Sequence, residues 1–262
     1  MKVLIKLGGT LLDVAQVRDG LCAEIARVAG QGIQAVVVHG GGKQMTRFLA
    51  ERGVESRFVN GLRVTTPEVL DAVLKVFAGS VNHELVSALN RAGTRAVGLS
   101  GIDACLVEAV QMDPSLGAVG RVTRANAELL DVLTSANFLP VVACVAGDRQ
   151  GNVYNVNADQ MAVACAAGFG AEKLIFLTDV EGVLDANGKI RPQLTTSESA
   201  QLIAEGVATG GMQAKLNAAA SALAEGVGQV LIAPGAVPGV LGKAMAGQPV
   251  GTRLIAAEVQ RV

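Results

Sequence analysis

Two apolar runs near the start of the chain each close on a glycine turn and give way to a helical pattern, and a lysine ends the first. Lys2-Val3-Leu4-Ile5-Lys6-Leu7 runs into Gly8-Gly9, and Ala35-Val36-Val37-Val38-His39 runs into Gly40-Gly41-Gly42. Strand, glycine turn and helix in that order gather backbone N–H groups and a helix N-terminus around one point, which suits a phosphate or a carboxylate. The repetition implies two anion sites side by side, one for a transferred phosphoryl group and one for its acceptor.

The same alternation continues along the chain. Strands are expected over residues 3–6, 34–38, 96–99, 139–145, 173–177 and 229–233. Helices are expected over 14–29, 43–51, 67–91, 125–136, 159–169, 196–204, 212–226 and 237–246. Short apolar strands separated by amphipathic helices predict an α/β chain, an open αβα sandwich with a mainly parallel central sheet. Half of the residues are hydrophobic but only 3% are aromatic, so Val, Leu, Ile and Ala must build the core. Thr66-Pro67-Glu68 reads as a helix start, with a hydroxyl cap, proline first and an acid in the first turn. Segments 57–64 and 105–122 read as β-hairpins that would wall a site. The expected division is an N-terminal lobe over 1–168, for acceptor binding and dimerisation, and a C-terminal lobe over 169–262, for ATP, sharing one sheet.

Composition narrows the function. The formal net charge is −1, from 22 basic and 23 acidic residues, with no basic stripe or aromatic platform for nucleic acid. Mean hydropathy is high at +0.43. Yet the charge-free stretch 226–242 is broken by Pro234, Pro238 and glycines and falls short of the ~18–20 apolar residues a membrane span needs. A strand beginning at residue 2 leaves no room for a signal peptide. Four scattered cysteines and two histidines point to a reduced, cytoplasmic setting with no structural metal.

Six segments carry candidate chemistry. Lys6 at a strand's C-terminal end would point into the crevice where α/β sheets bind ligands, or would be an ordinary strand-end lysine. Three consecutive glycines, Gly40 to Gly42, exceed what a tight turn needs and imply close approach of backbone to a ligand; His39 reads as structural. In Asn60-Gly61-Leu62-Arg63-Val64-Thr65, Arg63 could grip a carboxylate or lie on the surface. In Asn155-Val156-Asn157-Ala158-Asp159 the alternation would set three polar side chains on one face, and helix capping explains part of the pattern. Thr178-Asp179-Val180-Glu181-Gly182-Val183 follows a strand. Thr209-Gly210-Gly211-Met212-Gln213-Ala214-Lys215 opens a helix with Lys215 in its first turn. The Walker pattern and an ordered dinucleotide-binding glycine turn are both absent at these positions.

Together with Gly98-Leu99-Ser100-Gly101, these segments resemble the amino acid kinase family over nearly the whole chain and in order, and within it the branch acting on N-acetylglutamate. The resemblance implies a carbamate kinase-like fold and ATP-dependent phosphorylation of the γ-carboxylate of N-acetyl-L-glutamate, the second step of arginine biosynthesis. It implies that Lys6 and Lys215 neutralise the transferring phosphoryl group and that Asp159 holds them. Gly8, Gly9, Gly41 and Gly42 would donate N–H bonds to phosphate and acceptor. Arg63 would grip the α-carboxylate and Asn155 the α-substituent. Asp179, Val180, Glu181, Gly182, Val183 and Leu184, with Val207, Ala208, Thr209, Gly210 and Gly211, would line the nucleotide site, and phosphate oxygens would hold Mg²⁺. Arginine-inhibited members carry an extra N-terminal helix and a distinctive segment near the C-terminus. Residues 239–251 lack that segment and the first strand starts at Val3, so a homodimer without arginine feedback is expected. Alternative readings are a kinase for another N-acylglutamate or for carrier-bound aminoadipate, and a nucleotide-binding sensor without catalysis.

Overall fold

The computed structural model describes residues 1–257. The chain opens with β1 (Lys2–Leu7), a single turn α1 (Gly9–Leu12), α2 (Ala15–Ala29), β2 (Gln34–His39) and α3 (Gly42–Ala50). A tight hairpin, β3 (Phe58–Val59) and β4 (Leu62–Arg63), leads to α4 (Pro67–Val73). This helix continues unbroken through a π-helical stretch (Leu74–Val81) into α5 (Asn82–Arg91). Next come β5 (Ala96–Ser100), β6 (Val107–Gln111), β7 (Val119–Ala125), α6 (Glu128–Ser135), β8 (Leu139–Ala143), β9 (Val145–Gly147) and β10 (Val153–Val156). The second half holds α7 (Ala158–Phe169), β11 (Lys173–Thr178), β12 (Gln193–Thr195), α8 (Thr196–Ala204), α9 (Gly210–Ala224), β13 (Gln229–Pro234), α10 (Val240–Met245) and β14 (Thr252–Ile255).

Eight strands form the central sheet in the order β12-β14-β13-β11-β1-β2-β8-β5. Every pairing is parallel except β13 with β14. Val3, Leu4, Ile5 and Leu7 of β1 and Val36, Val37 and Val38 of β2 are fully or almost fully buried. Strands covered on both faces read as unbroken apolar runs, which is why the sequence marks them so strongly. β1 pairs with β11 residue for residue from Val3↔Lys173 to Leu7↔Leu177, so one sheet joins the two halves of the chain. The glycine turns after β1 and β2, neighbours in the sheet, therefore emerge side by side with the end of β11.

Several elements differ from expectation. Residues 139–145 break at Cys144 into β8 and β9, and β9 joins β6, β7 and β10 in a small closed barrel. The second expected hairpin begins two residues late, at Val107, and extends to Ala125. The helix expected over 125–136 starts at Glu128, and that over 237–246 is only Val240–Met245. α9 starts at Gly210, so Lys215 sits in its second turn, one turn later than expected. Thr66 caps α4 as expected, its hydroxyl accepting from Val69 N–H at 3.3 Å, with Pro67 at the first position.

Candidate active site

The centre of the site is a carboxylate between two ammonium groups. Lys6 ends β1 almost fully buried. Asp159 is the second residue of α7, whose N-cap Asn157 accepts N–H bonds from Asp159 at 2.9 Å and Gln160 at 3.3 Å. Asn155, Asn157 and Asp159 thus do not share one face of an extended segment as expected. The chain turns at Asn157 from strand to helix, and Asp159 reaches the site from a helical turn.

Lys6 Nζ lies 2.7 Å from Asp159 Oδ1, and Lys215 Nζ lies 3.7 Å from Oδ2. The Lys6 contact is an ion pair outside hydrogen-bond alignment. Burial pushes the Asp159 carboxyl upward, but the charges of Lys6 and Lys215 outweigh it and hold the group below its ordinary value. The carboxylate stays ionised and keeps two cations together without cancelling both.

The two glycine turns touch. A Cβ on Gly9 would lie 3.2 Å from Gly42 N, and one on Gly41 would lie 2.9 Å from the Phe77 ring. Gly41 caps α3 and Gly42 is its first residue, so their N–H groups are among those a helix leaves without an internal partner. Gly8 is different. Its N–H donates to Leu177 O at 2.9 Å, so the expectation that it donates to phosphate is corrected: Gly8 ties the turn to β11.

Arg63 stands beside the second turn. Its Nη2 donates to Gly42 O at 3.1 Å and Thr46 Oγ1 at 2.9 Å, its Nη1 donates to Ser56 Oγ, and its guanidinium lies 4.5 Å from the Phe58 ring centroid. Of its five N–H donors two remain, and both on Nη2 are engaged. A two-pronged grip on a carboxylate requires Nη2 to exchange a protein partner for substrate. Asn155 Nδ2 donates to Thr65 Oγ1 at 3.0 Å, and Thr65 donates to Arg63 O at 2.8 Å, so Asn155 is linked to the same hairpin.

On the other side, Asp179 follows β11. Burial raises its carboxyl, but its own backbone N–H, the hydroxyls of Thr178 and Thr10 and the charge of Lys215 prevail and hold it low. The Val183 and Ala208 side chains are buried, whereas Val180 and Leu184 are exposed. Gly182 packs so closely that a Cβ would lie 2.8 Å from Thr252 Oγ1. Val207 and Ala208 both donate backbone N–H to Leu202 O at 3.0 Å, and Thr209 caps α9 ahead of Gly210 and Gly211. A cleft of about 1350 Å³ runs past Asp159, Lys215 and Gly210, under the β3–β4 tip at Asn60 and along β7 at Arg121.

Sequence reasoning missed Thr10, one residue beyond the first glycine pair, and Asn82, which faces His39. His39 is structural, as read: its Nδ1 lies 2.7 Å from Gly40 O and its Nε2 lies 3.0 Å from Asn82 Nδ2.

The fold defines a class, the αβα sandwich seen in carbamate kinases. Carbamate kinase from Giardia lamblia bound to AMP-PNP superposes with a TM-score of 0.70 at 18% identity, covering 98% of both chains. N-acetylglutamate synthase from Neisseria gonorrhoeae, complexed with coenzyme A and N-acetyl-glutamate, gives 0.87 at 24% identity over 98% of this chain and 60% of that one. Residues 1–234 match the model of the Amino acid kinase family, and the chain belongs to that family, in the branch of the acetylglutamate kinases. It is 68% identical over 257 residues to the acetylglutamate kinase of Solibacter usitatus (strain Ellin6076), covering 98% of this chain and all of that one. It is 43% identical over 237 residues to that of Geobacillus thermodenitrificans (strain NG80-2), covering 90% and 91%.

Proposed function

We propose that the chain transfers the γ-phosphoryl group of ATP to the γ-carboxylate of N-acetyl-L-glutamate, in arginine biosynthesis, by positioning and electrostatic stabilisation without a general base. The observation that carries the mechanism is the Lys6–Asp159–Lys215 cluster beside two touching glycine turns. An acceptor carboxylate has an ordinary pKa near ~4.3 and is already a nucleophile at neutral pH. The difficulty is bringing one anion to another. Lys6 and Lys215 offset the charge on the transferring group, and Gly9, Gly41 and Gly42 supply N–H donors. Asp159 holds the ammonium groups at fixed positions, so they need no reorganisation during the reaction. Arg63 and Asn155 orient the acceptor, and Asp179 to Leu184 with Val207 to Gly211 line the nucleotide.

Among the described residues no three His, Cys, Asp or Glu side chains gather into a metal cage, and two lysines occupy Asp159. That donor set fits a Mg²⁺ carried by phosphate oxygens, which when bound offsets polyphosphate charge. The lobe division at residue 168, a cytoplasmic homodimer and insensitivity to arginine belong to the same reading. Light scattering should give about 53 kDa, twice the chain mass of 26.7 kDa.

The test is ADP release with ATP and Mg²⁺ against N-acetylglutamate, N-succinylglutamate, glutamate and aminoadipate, each with and without arginine. Turnover confined to N-acetylglutamate and indifferent to arginine is expected. Preference for another acceptor overturns the substrate, and silence with all of them overturns catalysis.

A further inference from the structure

We infer that Asn82, at the exit of the π-helical stretch, is a positioning residue for the acceptor-side glycine turn and acts through His39. The inference rests on the reading of Gly41 and Gly42 as donors to the acceptor.

Gly40 C=O and Gly41 N–H belong to one rigid peptide plane and point in opposite directions. Whatever fixes the carbonyl therefore aims the N–H. His39 Nδ1 lies 2.7 Å from Gly40 O. A carbonyl only accepts, so Nδ1 carries the proton. The ring is fully buried, and burial pushes it down to about 4, so at neutral pH it is uncharged and Nε2 is an acceptor. Asn82 Nδ2 faces that nitrogen at 3.0 Å and lies 2.9 Å from Val141 O. Both facing groups accept, so both amide protons of Asn82 are donated. The polarity is unique along the chain from Asn82 through His39 to Gly40. Removing Asn82 removes the donor that holds Nε2, the ring's second anchor, and leaves Nδ1 and the Gly40 carbonyl to set the ring's position alone.

The helix carrying Asn82 is shaped for this contact. Its π-helical stretch also brings Phe77 and Val81 against Gly41, where a Cβ would lie 2.9 Å from the Phe77 ring and 3.3 Å from Val81 Cγ2. A π turn admits an extra residue and re-aims the side chains beyond it, and such turns are frequent at functional sites. Room for the Asn82 amide comes from the sheet. On β5, a Cβ at Gly98 would fall 2.1 Å from Asn82 Oδ1. The space at Gly98, the amide of Asn82, the ring of His39 and the Gly40 carbonyl form one line from the sheet's edge to the acceptor turn.

That line supplies a test that leaves the catalytic cluster and the glycine turns intact. Asn82→Ala should raise the KM for N-acetyl-L-glutamate about tenfold while the KM for ATP and kcat at saturation stay within about twofold. Gly98→Ala, which evicts the amide from behind, should do the same. In the Asn82→Ala background Gly98→Ala should add little further loss, because the amide is gone and the Val86 methyl, 3.3 Å from the new Cβ, need give only slightly. The chain has only two histidines, so the ring nitrogens of His39 can be read by ¹⁵N NMR without any substitution. The wild-type ring should be neutral and protonated on Nδ1, whether or not the variants fold. A proton on Nε2 overturns the proposal. So does an unchanged acceptor KM in folded Asn82→Ala, or an equal Gly98→Ala penalty in both backgrounds. Failure of the wild-type protein to use N-acetyl-L-glutamate overturns the functional reading itself, and is told apart because it precedes any substitution.

Discussion

Lys6 and Lys215 share one carboxylate but differ in how deeply they are set. The Lys6 side chain is 8% exposed and the Lys215 side chain 20%. Removing either should lower kcat by about 10²–10³-fold, the scale for losing one preorganised group at a transferring charge. Their stability costs should differ. Lys6→Ala leaves Asp159 buried with its nearer cation gone, a loss of about 3–5 kcal/mol when a buried pair is broken. Lys215→Ala leaves that pair intact and should cost much less. Urea unfolding of the two variants, read with their turnover, checks this: equal destabilisation would mean that the two lysines carry Asp159 equally. His39 gives a prediction with a definite sign. Its folded value near 4 lies below the unfolded one near 6.5, so between those values the unfolded chain binds more protons. Stability from the buried neutral ring is complete above about pH 6.5 and is lost as the pH falls towards 4, about 3 kcal/mol in all. His39→Gln should flatten unfolding free energy against pH across that window; an unchanged slope there would rule out this origin.

At the scale of elements, what the sequence makes legible is what burial on both faces dictates. β1, β2, β11 and β13 stand out because parallel strands need unbroken apolar runs, and Thr66-Pro67 marks a helix start because its cap is local. The small barrel escapes notice because β9 is Val145–Gly147 alone, and although it pairs with the neighbouring β10, the barrel closes through a single pairing with the distant β6, Glu108↔Gly147. The π-helical stretch and Asn82 escape for a related reason: Gly98 and His39 explain Asn82, and both lie far from it in the chain. The motifs mark the glycine turns as a candidate site, but Gly8's bond to Leu177 O depends on the β1–β11 pairing. Glu24 on α2 is also non-local. Almost buried, it accepts backbone N–H bonds from Gly239 and from Leu241 at 2.9 Å, at the start of α10. A carboxylate at a helix N-terminus satisfies donors the helix cannot and favours the local dipole. Glu24→Ala should therefore cost about 2–4 kcal/mol in denaturant titrations and leave the KM values unchanged. Loss of activity at full stability would show that α10 communicates with the site.

For the whole molecule, an overall charge of −1 conceals an uneven distribution. The cleft is lined by Arg121, Arg124 and Lys215 against Asp159 and Glu225, and Lys6 already offsets much of Asp159. Arg124 has only a loose pairing, 3.9 Å from Glu108, and among the described residues the Arg121 side chain has no ion-pair or hydrogen-bond partner. Under the proposed function two anionic reactants enter this space. A cleft of one sign with low-dielectric walls focuses field lines and can raise association rates by about 10–10³, an advantage that salt screens over a Debye length of about 8 Å at physiological strength. Arg121 is the clean probe, because truncating it breaks no contact that holds the fold. Arg121→Ala should lower kcat/KM for ATP and N-acetyl-L-glutamate several-fold at low salt, with kcat unchanged and melting unaffected. The difference from wild type should vanish as ionic strength rises. If Arg121 touches one reactant directly, only that reactant's KM should rise, and the effect should survive high salt. A variant that keeps the wild-type salt dependence for both would place the attraction elsewhere, on Lys215 and the glycine turns alone.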